Sequence, residues 1–211
     1  MPNPVKFWDR LAVKYSKQPV ADEGSYQKKL SVTREYLRPD MEVLEFGCGT
    51  GSTAITQAGF VKHITATDAS PKMIEIGRAK AEGANVSNVT FECTGIEDFD
   101  APKQSFDAVF GFSILHLVKD KDVVVSKVYD LLKPGGVFVS STVCIVGLMR
   151  LFGVILPIGK LFGVLPHVSF FTPQALVDSL TRQGFVIDHQ WQPGKGKAVF
   201  IVAKKPDQTA T

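Results

Sequence analysis

Short apolar runs alternate with longer amphipathic stretches along the chain from residue 41 onward. The apolar runs predict five strands, at residues 41–46, 63–68, 89–93, 106–112 and 137–142. The amphipathic stretches between them predict helices at 52–59, 70–83 and 120–132, and the last of these is expected to end in a turn at KPGG, residues 133–136. Because strands that alternate with helices form βαβ units, this pattern predicts an α/β fold with a mostly parallel sheet and helices on both faces.

The helix at 70–83 carries signals at both ends. Ser70 is a suitable N-cap because its hydroxyl can accept from a free backbone amide, and Pro71 suits the first helical position. Gly83 is suited to closing the helix. The sequence therefore marks this helix clearly.

The C-terminal part of the chain predicts one more helix and two strands. The helix lies at 173–182, with Thr172 as its candidate N-cap, and the strands lie at 185–191 and 197–205. Only five residues, including one proline and two glycines, separate the two strands. We therefore expect them to form an antiparallel hairpin.

The first 38 residues are polar with scattered aromatic side chains. Their pattern predicts one amphipathic helix from about residue 26 to residue 37. Pro39 ends it, because the residue before a proline disfavours the helical conformation.

Composition narrows the class of protein. The chain has 211 residues, of which 45% are hydrophobic, and this predicts a single folded domain. A formal net charge of +3, spread along the chain, is too weak for a nucleic-acid-binding surface, so no nucleic acid is expected as a partner. Cys48, Cys93 and Cys144 are too far apart for a disulfide framework or a zinc site. These cysteines, with a polar N-terminal segment, predict a cytoplasmic protein.

A glycine-rich loop follows the first predicted strand. Gly47, Gly49 and Gly51 allow a sharp turn and a close approach to a ligand. A dinucleotide fingerprint requires a further glycine where this chain has Ser52, which argues against a pyrophosphate site. Asp68 stands 19 residues after Gly49, at about the offset of the acidic residue that binds ribose hydroxyls in Rossmann-type sites. The alternative is an ordinary glycine turn followed by a solvated aspartate.

Four blocks of sequence carry a family resemblance. They are VLEFGCGTG at 43–51, TDASPKM at 67–73, SFDAVF at 105–110 and LLKPGGVFV at 131–139. Together they resemble the class I S-adenosylmethionine-dependent methyltransferases, and most of all the small-molecule, ubiquinone/menaquinone-type branch. The resemblance covers roughly residues 40–142 and the terminal hairpin. It implies a Rossmann-like, doubly wound sheet of seven strands, mostly parallel, with an antiparallel last strand.

The same resemblance implies S-adenosyl-L-methionine as the cofactor and S-adenosyl-L-homocysteine as its product. In the family pattern, Gly47 and Gly49 pack against the amino-acid part of the cofactor. Glu45 and Thr50 shape the loop around it, and Asp68 binds the ribose diol.

For the adenine, the resemblance assigns Ala69 and Met73 as flanking side chains. Gly95 stands where the family has an aspartate that accepts from the adenine amino group, so this contact is absent or replaced here. The amide of Ile96 is still expected to meet the ring. Phe112 falls beside the sulfonium and methyl end, where an aromatic face stabilises a cation, with plain core packing as the alternative.

Methyl transfer from a sulfonium depends chiefly on positioning and desolvation, so neither a metal nor a nucleophile is expected. His116 is the candidate general base, because histidine titrates near neutral pH, although family members often have a histidine here that is not a base. Tyr15 and Tyr26 are expected to fold over the cofactor and the substrate from an N-terminal helical lid at 1–38. Packing of this region on the sheet is the alternative.

The segment at 145–168 has an unusual composition. Its 24 residues include 15 large apolar side chains, four glycines, two prolines and two charges. The charges and prolines interrupt it, so a membrane span is not predicted. We favour a cover insertion for an apolar acceptor, with Phe152 and Phe162 facing that substrate. Ordinary core, and contact with a membrane surface or a second subunit, are the alternatives.

The sequence thus predicts one class I methyltransferase domain over 1–211, which methylates a small, hydrophobic molecule. The chain lacks the proline-aromatic box typical of amino-group methylation, the Pro-Cys pair of pyrimidine methylation and the acidic cluster of magnesium-dependent catechol enzymes. Two other functions stay open. One is a nicotinamide-dependent oxidoreductase, and the other is a non-catalytic S-adenosylmethionine-binding module.

Overall fold

A seven-stranded sheet forms the centre of the structure. The computed structural model describes residues 4–144, 168–194 and 196–207. The strands are β1 (Glu42–Phe46), β2 (His63–Asp68), β3 (Val89–Cys93), β4 (Phe106–Phe112), β5 (Leu132–Val143), β6 (Val186–Trp191) and β7 (Ala198–Lys204). The helices are α1 (Pro4–Ser16), α2 (Glu23–Arg34), α3 (Ser52–Gln57), α4 (Pro71–Gly83), α5 (Lys121–Leu131) and α6 (Pro173–Arg182), with a 3₁₀ turn (Ala58–Phe60) after α3.

The strand order is β3-β2-β1-β4-β5-β7-β6. The strands from β3 to β5 in this order run parallel, whereas β7 is antiparallel to both β5 and β6. This arrangement confirms the predicted doubly wound, mostly parallel sheet with an antiparallel last strand. It also confirms the predicted C-terminal hairpin.

The order of the strands places a crevice at the centre of the sheet. Strand β1 pairs with β2 on one side and with β4 on the other, so Glu45 lies between Ala66 and Phe110. Parallel sheets bind ligands at the carboxyl ends of the strands where the order reverses in this way. The glycine-rich loop follows β1 and Asp68 ends β2, so both belong to this crevice.

Apolar side chains fill both faces of the sheet. On one face, Phe46 and Phe138 stack with ring centroids 6.2 Å apart, in a cluster with side chains of α5 and α6. On the other face, Phe91 and Phe110 pack with side chains of α3 and α4. Burial of each such side chain stabilises the fold by roughly 1.5–3 kcal/mol, so the strand ends that carry the loops are held firmly.

The N-terminal region differs from its prediction. We expected one helix at 26–37, but the structure has two helices, and the second begins at Glu23 and ends at Arg34. Helix α1 buries Ala12 completely but leaves Val13 and Tyr15 about half exposed. Its apolar residues Trp8, Leu11 and Ala12 nevertheless recur at helical spacing, and contacts with α4 add to its stability.

The KPGG sequence at 133–136 also differs, because it lies within β5 instead of forming a turn before it. Leu132 already pairs with Phe106 of β4. The amide of Gly135 donates to the carbonyl of Lys205 over 3.0 Å, and the amide of Lys205 donates to the carbonyl of Gly136 over 2.8 Å. These hydrogen bonds extend the strand through the glycines.

The cap of α4 agrees with its prediction at one end only. The Ser70 hydroxyl accepts from the amide of Met73, as an N-cap does. At the other end, the residue with positive φ (54°) is Asn85, and Gly83 is the last residue of the helix. Asparagine replaces glycine here because its side chain tolerates the left-handed conformation.

The predicted cover insertion cannot be compared with the structure. Residues 145–167, which include Phe152 and Phe162, lie outside the described residues. Within the parts of the chain that are described, no helix is both long enough and apolar enough to cross a membrane.

Candidate functional site

The backbone of the loop after β1 has a conformation that glycine adopts most readily. Gly47, Gly49 and Gly51 have φ values of 61°, 54° and 72°. A Cβ atom at Gly47 would lie 2.5 Å from Cγ1 of Ile114, and one at Gly51 would lie 2.5 Å from the Phe91 ring. At Gly49 the nearest atom would be Cε1 of Tyr15, at 3.8 Å. The loop is thus packed tightly at two glycines and leaves room at the third.

Asp68 holds this loop from the end of β2. Its Oδ2 accepts from the amide of Gly49, and its Oδ1 accepts from the amide of Ser70, each over 2.9 Å. Burial raises the pKa of the Asp68 carboxyl, although the two backbone hydrogen bonds act in the opposite direction. Each oxygen keeps a second lone pair, so the carboxylate can hold the loop and still accept from a ribose diol.

Glu45 brings a second carboxyl group to the crevice. It is 2% exposed, and its carboxyl accepts from the amide of Ala54 in α3. Its Oε2 has no hydrogen-bond partner among the described residues. Burial raises the pKa of Glu45 from 4.5 to about 8, and the charge of Asp68 adds to the rise. Because a buried polar atom without a partner is costly, this oxygen marks a place for a donor or a cation from a ligand.

Helix α1 is attached beside Asp68. Oδ1 of Asp9 accepts from the Ser70 hydroxyl over 2.5 Å and from the amide of Lys72 over 3.2 Å. Asp9 therefore caps the N-terminus of α4 from a distant part of the chain. Tyr15, on the same helix, lies beside Gly49. Sequence patterns give no signal for the role of Asp9, because Ser70 is 61 residues away.

The two tyrosines of the predicted lid lie close to the same carboxyl group. The hydroxyl of Tyr26 is 3.3 Å from Oγ1 of Thr53 in α3. Partial burial raises the pKa of the Tyr15 phenol, with smaller contributions from the charges of Asp68 and Glu45. Burial also raises the pKa of Tyr26, and Glu45 contributes. The structure thus brings Tyr15 and Tyr26 to the glycine-rich loop, whereas their contact with a cofactor or a substrate stays a prediction.

A lysine from α4 contacts the other end of the loop. Thr50 is 3% exposed, and its Oγ1 accepts from Nζ of Lys80 over 2.8 Å. The same Nζ is 3.2 Å from Oγ of Ser52. Lys80 follows Thr50 by 30 residues, so the sequence patterns do not connect the two.

The residues expected around the adenine follow β2 and β3. Ala69 lies in the loop after β2, Met73 lies in the first turn of α4, and Gly95 and Ile96 lie in the loop after β3. Met73 and Ile96 are buried, at 2% and 3% exposure. A Cβ atom at Gly95 would lie 3.4 Å from Oε2 of Glu97 and 3.9 Å from Cβ of Ala69. The structure therefore places the carboxylate of Glu97 beside the position of the missing aspartate. The family pattern does not point to Glu97, because Glu97 stands two positions after Gly95, where the family has its aspartate.

Phe112 ends β4 and packs edge-on against Phe110, with ring centroids 5.9 Å apart. The chain then turns at Ser113, which has a positive φ of 56°, towards His116. Phe112 therefore takes part in core packing at the edge of the crevice, and its predicted role beside the sulfonium stays a prediction.

His116 has a buried Nδ1 without a hydrogen-bond partner among the residues described. Burial lowers the pKa of His116, so its imidazole is neutral at neutral pH and is able to accept a proton. The amide of Ser169 donates to the His116 carbonyl over 2.7 Å. This bond brings the chain after residue 167 back to the same edge of the sheet.

These residues fit the cofactor that the sequence resemblance implies. The free oxygen of Glu45 suits an ammonium group, and the Asp68 carboxylate suits a ribose diol. At Gly49 the nearest neighbour of a Cβ position is the Tyr15 ring of the predicted lid, at 3.8 Å. The described groups thus match the amino-acid part and the nucleoside part of S-adenosylmethionine.

Known proteins that are similar to this chain include methyltransferases. Residues 43–136 match a family model described as a methyltransferase domain. The ubiquinone biosynthesis O-methyltransferase of Cereibacter sphaeroides is 30% identical over 102 residues, which are 48% of this chain and 41% of that protein. The chain therefore spans about two-fifths of the length of this curated relative.

Solved structures share the fold. A chain from the Haloferax volcanii complex between the Trm112 methyltransferase activator and a methyltransferase matches with a TM-score of 0.77 and 12% identity, over 99% of this chain and 100% of that chain. A geranyl diphosphate methyltransferase in complex with GPP and sinefungin matches with a TM-score of 0.68 and 15% identity, over 85% of this chain and 77% of that chain. The sequence blocks, the family model over residues 43–136 and the shared sheet agree, and this part of the chain is similar to the methyltransferase domain of S-adenosylmethionine-dependent enzymes.

Proposed function

We propose that this protein transfers a methyl group from S-adenosylmethionine to a small, hydrophobic acceptor. The observation that carries the proposal is the pair of carboxyl groups at the glycine-rich loop. Asp68 is bonded to the Gly49 amide at 2.9 Å, and the buried Oε2 of Glu45 has no partner among the described residues. A nucleoside that carries an ammonium group satisfies both.

The residues around the crevice bind and orient the reactants. The cofactor, when bound, supplies a methyl group already activated on a positively charged sulfur. In our proposal Glu45 and the glycine-rich loop hold its amino-acid part, and Asp68 holds its ribose. Tyr15 and Tyr26 exclude water from above the loop. Positioning and exclusion of water then supply most of the acceleration.

Several observations support a hydrophobic acceptor. One relative acts in ubiquinone biosynthesis, and a structural neighbour is a geranyl diphosphate methyltransferase. Phe170 is 48% exposed and directly follows Ser169, which is bonded to the His116 carbonyl. An exposed aromatic ring here suits contact with an apolar substrate. The apolar segment at 145–168 extends this surface in our proposal, either as a pocket cover or as a contact with a membrane or a second subunit.

A cytoplasmic location is part of the same proposal. Cys48, Cys93 and Cys144 are all free thiols in the structure, and this supports a reducing compartment. Fractionation of cells that express the protein, with immunodetection in each fraction, tests the location.

Binding of S-adenosylhomocysteine tests the proposed cofactor. We expect micromolar affinity by calorimetry and a rise in melting temperature, because a ligand at 100 times its dissociation constant adds about 2.7 kcal/mol of stability. NADH serves as the control ligand for the oxidoreductase alternative and should give no shift. Folded, ligand-free protein that does not respond to millimolar S-adenosylhomocysteine would refute the proposal. Binding without methyl transfer to any tested acceptor would favour the non-catalytic module.

His116→Ala tests whether this histidine is a general base. A base within hydrogen-bond reach contributes about 10²–10⁴-fold, whereas positioning alone does not depend on it. We expect kcat with a short-chain hydroquinone to fall by less than about a hundredfold, with unchanged cofactor affinity. His116→Asn, which keeps a polar side chain, is the matched variant. A larger fall in kcat for both variants would make His116 a catalytic base.

A further inference from the structure

Lys80 is a half-buried cation that has no acidic partner among the described residues. In the described parts of the chain, no carboxylate forms a salt bridge with its Nζ, whereas Lys62 pairs with Glu42 and Lys72 pairs with Glu75. Burial lowers the pKa of Lys80, since it removes water from the ammonium group. A lysine in such a place has lost hydration without gaining an ion pair, so its remaining contacts need an explanation.

Those contacts lie on the glycine-rich loop. Nζ donates to Oγ1 of Thr50 over 2.8 Å and lies 3.2 Å from Oγ of Ser52. Thr50 and Ser52 stand on either side of Gly51, whose φ is 72°. Lys80 therefore connects α4 to the two residues that flank a glycine in the left-handed conformation.

The loop needs such a connection because glycine is conformationally free. Three of its residues adopt positive φ, and glycine populates negative φ as readily. Asp68 holds the loop at Gly49, and the hydrogen bond from the Gly51 amide to the Cys48 carbonyl, at 3.0 Å, closes its turn. The second half of the loop packs at Gly51 against the Phe91 ring, and Lys80 adds a side-chain hydrogen bond to it from α4. Hydrogen bonds from a charged donor are roughly twice as strong as neutral ones, so this contact is well suited to the task.

We propose that Lys80 is a positioning residue that holds the glycine-rich loop in its cofactor-binding conformation. The inference rests on the proposed function, because it concerns the affinity for the cofactor. When only a fraction of the unliganded molecules has the competent loop, the apparent dissociation constant rises by the inverse of that fraction. Loss of the Lys80 contact lowers this fraction without removing any group that touches the ligand.

Lys80→Met, measured by calorimetry with S-adenosylhomocysteine, tests the proposal. We expect the dissociation constant to rise about tenfold, as it would if about one molecule in ten kept the competent loop. Lys62→Met is the matched control, because it removes an exposed cation at the opposite end of the sheet, and it should bind as the wild type does. Thr50→Val completes a double-mutant cycle. In the double variant, Lys80→Met with Thr50→Val, the loss of binding free energy should be smaller than the sum of the losses in the two single variants.

The pH dependence of binding separates positioning from a purely structural role. Lys80→Arg keeps a cation that does not deprotonate in the accessible range. As the pH rises from about 8 to about 11, which passes the ordinary lysine pKa, wild type should lose affinity relative to Lys80→Arg, because burial lowers the pKa of Lys80 and the lysine loses its proton in this range. Titration of the cofactor and of Glu45 affects both proteins equally, so it cancels in the ratio of their two dissociation constants.

The outcomes separate the two proposals. If wild-type protein fails to bind S-adenosylhomocysteine, the proposed function is wrong. If the wild type binds and Lys80→Met binds equally well, or loses only stability against urea, Lys80 does not position the loop. If the ratio of the dissociation constants of wild type and Lys80→Arg is constant across the pH range, the inference is wrong. This test holds even where Lys80→Met fails to fold.

Discussion

Asp68→Ala is expected to weaken the binding of S-adenosylhomocysteine by about 2–4 kcal/mol, because hydrogen bonds to a charged group contribute about 1.5–3 kcal/mol each. The substitution removes the proposed acceptor for the ribose diol. It also frees the amides of Gly49 and Ser70, which the carboxylate holds at 2.9 Å. Calorimetry measures the change in affinity, and urea denaturation of the unliganded protein measures the change in stability.

Asp68→Asn separates these two contributions. Asparagine keeps one carbonyl oxygen for a backbone amide, but it has no charge and its NH2 group faces the other amide. We therefore expect only part of the stability to return and most of the affinity loss to remain. Asp40→Ala is the matched control, because Asp40 is exposed and its pairing with Arg38 is at the surface. Wild-type affinity in Asp68→Ala would mean that Asp68 does not bind the ribose.

Glu45→Gln is expected to stabilise the unliganded protein at alkaline pH and, at the same time, to weaken its binding of the cofactor. Burial raises the pKa of Glu45 from 4.5 to about 8 in the folded protein. The folded state therefore holds the proton more tightly than the unfolded state does. This contribution to stability is complete below about pH 4 and is lost as the pH rises through about 8.

Urea denaturation at several pH values measures this effect. Between pH 5 and pH 9 the wild type should lose about 2–4 kcal/mol that Glu45→Gln keeps, because glutamine cannot ionise. Glu92→Gln, which replaces an exposed glutamate of β3, is the control for a general charge effect. Equal slopes of stability against pH in wild type and Glu45→Gln would show that Glu45 is not a buried acid.

The predicted weakening of cofactor binding can be tested separately, through the protons that binding releases. If Glu45 meets the ammonium group of the cofactor, it must ionise on binding, and S-adenosylhomocysteine should release protons near pH 7. Calorimetry in two buffers of different ionisation enthalpy detects this release in the wild type. Glu45→Gln should lose it and should bind at least about tenfold more weakly. Unchanged proton release in the variant would assign the proton to another group.

Much of the fold follows from patterns that are local in the sequence. The boundaries of β2, β3 and β4 agree with the predicted strands, because each is a short run rich in β-branched or aromatic residues. The N-cap of α6 at Thr172 was equally predictable, since capping depends on residues within one turn. The glycine-rich loop and Asp68 follow the same logic, because both occupy strand ends of a parallel sheet.

The N-terminal helix is an element that was not predicted from local sequence patterns. The sequence prediction missed the helical spacing of Trp8, Leu11 and Ala12 in α1. The attachment of this helix depends on Asp9, which accepts from the Ser70 hydroxyl. Propensity within a short segment does not contain this information, because the partner lies 61 residues away. The KPGG residues were misjudged for a related reason. A turn sequence became part of a strand when the backbone of Lys205 paired with it.

From residue 41 onward, the sequence by itself thus determined the order of strands and helices along the chain, the glycine-rich loop that we propose as the cofactor site, and the acidic residue at the end of β2. Tertiary structure decided which distant side chains complete the site. Lys80 reaches Thr50, Asp9 reaches Ser70, and the carboxylate of Glu97 lies beside Gly95. It also decided the ionisation of Glu45, which burial between α3 and the sheet raises to a pKa of about 8. The physical reason is that hydrogen bonding and desolvation depend on distances in space, and only the folded chain sets those distances.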